Sequence, residues 1–273
     1  HQVYLGLGWS PFKGFAIGVN AAYLWGDYSR SVINSYTDAY ANTLSKYYTA
    51  EVHNYKLDFG MQYTQKITKN DAITLGVTYG LGHKLSSDPK CQIISTNAQT
   101  AVADTATYSI GNGLELPHSY GVGLMWNHAN RWRVGADYTL QKWSSVAYPK
   151  FDTSTNSYEL VSGQFADRHK MTVGGEFCPD ERSRSFFKRV HYRMGASYAT
   201  DYLKIKGQNG PKEYSVSAGF GIPIVNGYNN RSLLNISAQW VRQDSKTFVT
   251  ENSFRINIGL TFNERWFAKW KME

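Results

Sequence analysis

The chain has 273 residues, a formal net charge of +8 and a mean hydropathy of −0.45, a length that suits one large domain. No apolar run approaches the ~18 residues of a membrane helix, which excludes a helical membrane protein, and the Lys and Arg are scattered among strands and turns rather than gathered in a run, which argues against nucleic acid as the partner. What is unusual is 20 Tyr, 13 Phe, 8 Trp and 24 Gly against 7 Pro, an aromatic excess that suits surfaces with one oily and one wet side.

Eleven segments alternate apolar and polar residues, the pattern of a β-strand with two unlike faces. In chain order they are VYLGLGW (3–9), FAIGVNAAYLW (15–25), YKLDFGMQY (55–63), ITLGVTYGL (73–81), YGVGLMW (120–126) and WRVGADYTL (132–140). MTVGGEF (171–177), VHYRMGASY (190–198), YSVSAGFGI (214–222), LNISAQW (234–240) and SFRINIGLTF (253–262) complete the set. One phase holds Val19, Leu57, Leu75, Val122, Leu124, Val134, Val173, Ile236 and Ile258. The other holds Lys56, Asp58, Arg133, Asp137, Glu176, His191, Arg193, Asn235, Gln239, Arg255 and Asn257.

Alternation does not say which phase faces outward; the connections and aromatics do. Short connections (10–14, 65–71, 127–130, 178–189, 223–232) take turns with long ones (26–54, 82–119, 141–170, 199–213, 241–253). Outer-membrane barrels have short periplasmic turns and longer extracellular loops. With strands run alternately up and down, Trp9, Tyr63, Trp126, Trp132, Phe177 and Phe262 fall at the short-turn rim. Trp25, Tyr55, Tyr79, Tyr138, Tyr198 and Trp240 fall at the other. Two aromatic girdles around an apolar band fit a membrane interface better than an aromatic-rich soluble sandwich. The expected fold is all-β: an antiparallel transmembrane β-barrel domain over residues 1–273, oily phase toward lipid and polar phase toward the lumen. The ending RWFAKWKM fits an interfacial tail or a frayed terminus.

Eleven strands is odd, whereas bacterial single-chain barrels have an even number. An open arc leaves unpaired backbone groups in hydrocarbon. Residue 1 already lies in strand rhythm rather than in the layout of a secretory leader, so a leader removed or more chain upstream is expected. The expectation is that strands precede it. Glycines crowd the lumen phase (Gly60, Gly76, Gly121, Gly123, Gly135, Gly174, Gly195), which suits a plug inside the barrel or a relief of curvature.

LPHSYGVGLMWNHANRWRVGADYTLQKW (116–143), with Pro117, Gly121, Asp137 and Trp143, resembles the FadL/TodX family of outer-membrane transporters. VHYRMGASY followed by YSVSAGFGIPI is similar to a later strand pair of that family, and LGLGWSPFKGFAIGVNAAYLWGDYSR to an earlier one in the style of its Bacteroidetes members. The resemblance implies fourteen strands and an N-terminal plug, hence three strands and the plug upstream of residue 1. It also implies residence in the bacterial outer membrane and passive uptake of hydrophobic compounds such as long-chain fatty acids.

No catalytic or metal-binding set emerges. The seven His show no ligand spacing, and His118 and Ser119 are strand neighbours that point to opposite faces. GFGIPIVNG has no following helix to cradle a phosphate. The expectation is therefore no enzyme and no cofactor. Cys91 and Cys178 fall on opposite rims, too far apart for a disulfide, so two unbridged thiols or a partner in an absent region are expected. Lys56, Asp58, Arg133, Asp137, His191, Arg193 and Arg255 are the lumen-facing candidates. Some would bind a carboxylate head, but for most of them a structural network that pins the plug is the favoured reading, since charges in a confined space need partners regardless of function.

Two functions follow. The first is a passive channel for hydrophobic compounds. The second is an accessory or scaffold barrel of a larger outer-membrane assembly, in secretion or barrel insertion, with long Tyr-rich loops as its binding surface. The expected partners are outer-membrane lipids and lipopolysaccharide, a hydrophobic ligand and other complex subunits.

Overall fold

The structure is a computed structural model that describes every residue except 39, 206, 226–230, 246–248 and 262–273. Phe262 and the RWFAKWKM ending thus lie outside the described residues. The strands are β1 (Gln2–Phe12), β2 (Phe15–Asn34), β3 (Thr43–Lys66), β4 (Asp71–Gly80), β5 (His83–Leu85), β6 (Lys90–Thr96), β7 (Ala103–Ser109), β8 (Leu114–Leu116) and β9 (Ser119–His128). They continue with β10 (Trp132–Gln141), β11 (Tyr148–Asp152), β12 (Ser157–Val161), β13 (Arg168–Phe177), β14 (His191–Ala199), β15 (Lys204–Ile205), β16 (Gln208–Asn209), β17 (Lys212–Val225), β18 (Arg231–Asp244) and β19 (Glu251–Thr261). One α-helical turn, α1 (Phe186–Arg189), and one 3-10 turn (Trp143–Ser145) interrupt them, and among the described residues no helix is long and apolar enough to cross a membrane.

Eleven strands form one antiparallel wall in the order β1-β2-β3-β4-β9-β10-β13-β14-β17-β18-β19, and they are the eleven segments read from the alternation. Among the described residues β1 and β19 do not pair, so they are the two edges of the wall. The two phases stay separate across it. One row runs Leu75, Leu124, Ala136, Val173, Ala196, Val216, Trp240, Phe254, each opposite the next. The adjacent phase runs Asn127, Arg133, Glu176, Arg193, Gly219, Ser237, Asn257. A one-residue slip of β10, β13 or β14 would throw Arg133, Glu176 or Arg193 onto the oily side.

The oily phase is uncovered. Leu124 is 51 % and Ile258 73 % exposed, with Val122, Val134, Val173 and Met194 also exposed. A soluble sandwich would bury this face under a second layer. An exposed apolar band over a whole sheet face is what acyl chains cover.

The long connections are not loops in the sense the sequence suggested. Segment 26–54 is mostly strand, because β2 and β3 continue past the wall as one ribbon, paired from Phe15↔Tyr63 to Asn34↔Leu44 without a bulge. Segment 82–119 contains the β5–β8 pair and the β6–β7 hairpin, whose β6 adds to the upper part of β3. Segment 141–170 contains the β11–β12 hairpin. Segment 241–253 is short, since β18 reaches Asp244 and β19 starts at Glu251. Among the described residues, six of the ten buried apolar side chains gather in these upper parts: Ala50, Leu85, Cys91, Val146, Phe151 and Phe165; the others are Cys178 and Val190 at the short-turn rim and Ala199 and Val241 on β14 and β18.

Candidate functional site

The inner face of the wall is a lattice of polar side chains laid along the sheet. Its centre is Glu176 on β13, whose side chain is 17 % exposed. Strand pairing puts Arg133 on one side of it and Arg193 on the other. Arg133 Nη1 donates to Glu176 Oε1 at 3.1 Å, and Arg193 Nε donates to Oε2 at 2.6 Å. His191 Nδ1 lies 3.2 Å from Oε1. Arg193 Nη1 also reaches Asn235 Oδ1 at 2.5 Å, and Asn235 Nδ2 donates to Thr261 Oγ1 at 3.4 Å. The network thus stitches β10, β13, β14, β18 and β19 together at the short-turn end.

The candidates from the sequence divide accordingly. Arg133, His191 and Arg193 converge on one carboxylate. Lys56 and Asp58 pair with each other on β3, away from that cluster. Asp137 lies higher on β10, its Oδ1 over Gly123 of β9, and Arg255 stands on β19 opposite Gln239. Glu176 itself was in the polar phase but was not singled out. Pairing neighbouring strands through their turns would have found it, because it is a carboxylate that faces an arginine on each neighbouring strand.

The lattice also explains two of the glycines. A Cβ at Gly123 would collide with the Asp137 carboxylate, and one at Gly80 would meet Asp58 Oδ1 at 2.9 Å. Glycine at these positions lets a neighbour's polar side chain lie flat across the sheet, a close approach supplied from within the wall.

Above the wall the ribbon of β2 and β3 changes character. Within the membrane band its outward phase is Val19, Tyr23, Leu57 and Phe59, whereas beyond it the same phase is Asp27, Ser29, Thr49 and Glu51. The inward phase becomes Tyr28, Val32, Tyr48 and Ala50, and the lobe core is built on it. Tyr48 meets Tyr158 of β12 at 6.5 Å between ring centroids, and Tyr108 of β7 meets Phe151 of β11 at 5.3 Å. Lys46 Nζ sits 4.9 Å from the Phe151 ring centre, a cation–π contact. The β11–β12 hairpin therefore packs on the lumen side of the ribbon. Burial pushes the Tyr148 hydroxyl up to about 12, helped by a hydrogen bond with Tyr28.

A second aromatic group, Trp143, Phe165, Tyr148 and Tyr202, closes the lobe toward β13 with centroid separations of 5.2 to 6.4 Å. Asp167 anchors it, pairing with Lys142 and accepting the Ser144 backbone N–H at 3.0 Å. Burial alone would raise the Asp167 carboxyl. Hydrogen bonds from Lys142 and Ser144 outweigh it and hold the group down at about 2.

Both cysteines are free and buried: Cys91 in the lobe, fully enclosed, and Cys178 at the short-turn rim, its Sγ 3.7 Å from the Arg189 carbonyl. Among the described residues no group of three or more His, Cys, Asp or Glu is placed to hold a metal ion.

Three solved structures share this architecture. The CymD monoaromatic hydrocarbon channel superposes with a TM-score of 0.68 at 12 % identity, over 96 % of this chain and 72 % of that one. The Ralstonia pickettii toluene transporter TbuX gives 0.62 at 12 %, over 96 % and 69 %. The Pseudomonas putida toluene transporter TodX gives 0.59 at 16 %, over 96 % and 68 %. At these identities the likeness is one of fold, and it bears out the FadL-type barrel expected from the sequence. No curated protein sequence matches the chain. The sequence profile that does match is that of a different family from the one the motifs resembled, and it spans residues 1–273 from end to end: the chain belongs to the BamG family.

Proposed function

We propose that this chain is an accessory barrel of a larger outer-membrane assembly, in secretion or barrel insertion, working through its outward wall and extracellular lobe. One observation carries this reading: the large apolar side chains of the wall lie mostly on the outside, while the inner face, Met125 apart, is chiefly glycines, ion pairs and amides. A conduit for oily molecules needs apolar walls, because an apolar solute gains nothing from a polar lining and displaces its hydration. The structured lobe, larger than turns of a bare pore require, supplies a rigid surface for a partner. Lys56, Asp58, Arg133, Asp137, His191, Arg193 and Arg255 then act as struts of the wall, with Glu176 as their common anchor. The outer membrane is the compartment this reading requires.

The test is extraction of the tagged chain from its native envelope in mild detergent. A stoichiometric complex that survives gel filtration is expected. A lone barrel would overturn the reading.

A second reading is a passive channel for hydrophobic compounds, favoured by the fold shared with CymD, TbuX and TodX. It predicts faster entry of toluene or a long-chain fatty acid into liposomes carrying the chain, with no such gain for a sugar.

A further inference from the structure

Two adjoining grooves, of about 880 and 740 Å³, run down the lipid side of β10, β13, β14 and β17, the smaller one reaching β9. They form where Gly175, Ala196 and Ala218 stand between larger neighbours such as Val134, Val173 and Met194. The larger groove ends at the short-turn rim, at Trp132 and Tyr192.

The turn below it, 178–190, is a built structure. Asp180 N–H donates to the Lys188 carbonyl at 2.9 Å, and Cys178 N–H donates to the Arg131 carbonyl at 2.8 Å. Tyr192, whose ring belongs to the lipid-facing phase, donates its hydroxyl to the Phe187 carbonyl at 3.1 Å. That bond draws α1 toward the lipid side, with Phe187 72 % exposed beside the groove mouth. The same turn carries Arg182, Arg184, Lys188 and Arg189 against Asp180 and Glu181. Lys13, Lys66 and Lys69 in two other short turns and Arg131 just after a third add to it against Asp71, so these described turns together hold an excess of positive charge.

We propose that groove and turn together bind one anionic diacyl phospholipid of the periplasmic leaflet. An acyl chain lies along Gly175, Ala196 and Ala218, and the phosphate meets Arg182, Arg184 and Lys188. A zwitterionic lipid fills the groove equally well but leaves the basic turn unmatched, so the selection is by headgroup charge. Each base near an anionic surface strengthens attachment by roughly fivefold.

Trp132 lines the groove and reports its occupant. The full chain is reconstituted with phosphatidylcholine or phosphatidylglycerol brominated in the acyl chains, and the quenching lost in Trp132→Phe is read as occupancy at that site. Phosphatidylglycerol is expected to win severalfold in mixed bilayers. The preference should vanish in Arg182→Gln/Arg184→Gln/Lys188→Gln, whose changes are on exposed side chains. Filling the groove with Ala196→Leu/Ala218→Leu should lower quenching by both lipids. Heat-modifiable gel mobility confirms that each variant is folded. Equal quenching by both lipids in the unaltered chain overturns the proposal, as does a preference that survives the triple change. Binding of soluble polyglutamate without any lipid preference assigns the charges to an acidic protein and overturns it too.

Discussion

The wall and the lobe are built by one chain for two solvents, and the ribbon of β2 and β3 passes between them without changing register. In the wall, outward residues are apolar and exposed, and polar side chains pair on the inside. In the lobe the same outward phase carries Asp27, Ser29 and Glu51, while Ala50, Cys91 and Phe151 are enclosed. Backbone pairing sets which residues share a face; the surrounding medium decides what each face must be. Stability in the lobe therefore comes from burying side chains against each other, and stability in the wall comes from placing them in lipid and saturating the ladder.

Substitutions chosen from each region should separate the two. The largest effect is expected for Phe151→Ala, which removes the ring shared by Tyr108 and Lys46. It should cost the lobe about 3–5 kcal/mol. Limited proteolysis should then cut within 141–167 while the wall keeps its folded gel mobility. Next comes a pair of neighbours on β9. Leu124→Arg puts a charge among acyl chains and should cost about 2–4 kcal/mol, whereas Met125→Arg faces the lumen and should cost little. Denaturant unfolding in bilayers measures both, and equal effects would break the assignment of faces. Glu176→Ala should be milder, about 1 kcal/mol, because its arginine partners are partly exposed.

The smallest effect is a pH dependence confined to the lobe. Asp167 holds its proton less tightly folded, at about 2, than the ordinary Asp value of the unfolded chain. A depressed carboxyl contributes stability above the unfolded value, and this is lost as pH falls from roughly 4 toward 2. Amide exchange in 142–170 should rise over that window, and Asp167→Asn should flatten the rise. No change between the two proteins would remove Asp167 from the account of lobe stability.

The wall was legible because a strand with lipid on one side must alternate. All eleven strands and both phases could be read from residues such as Leu75, Leu124 and Val134. The lobe was not, for the reason the ribbon displays. At Trp25 and His53 the apolar phase crosses from outside to inside, so the alternation loses its beat there and 26–54 reads as a loop. The short strands of the lobe hairpins carry too few residues to show a period. The polar lattice was legible as a face but not as a network. Glu176 gains its role from Arg133 and Arg193, which lie on neighbouring strands, and only pairing reveals that. The glycines suggested a visiting backbone, whereas at Gly80 and Gly123 the visitor is a side chain from the adjacent strand.

The unbroken pairing of β2 with β3 has a mechanical meaning. Twenty rungs at the usual rise make a stiff rod of about 66 Å, from the short turn at one end to the tip of the lobe at the other. The ladder that crosses the membrane band and the ladder on which the lobe is built are therefore one continuous set of backbone hydrogen bonds.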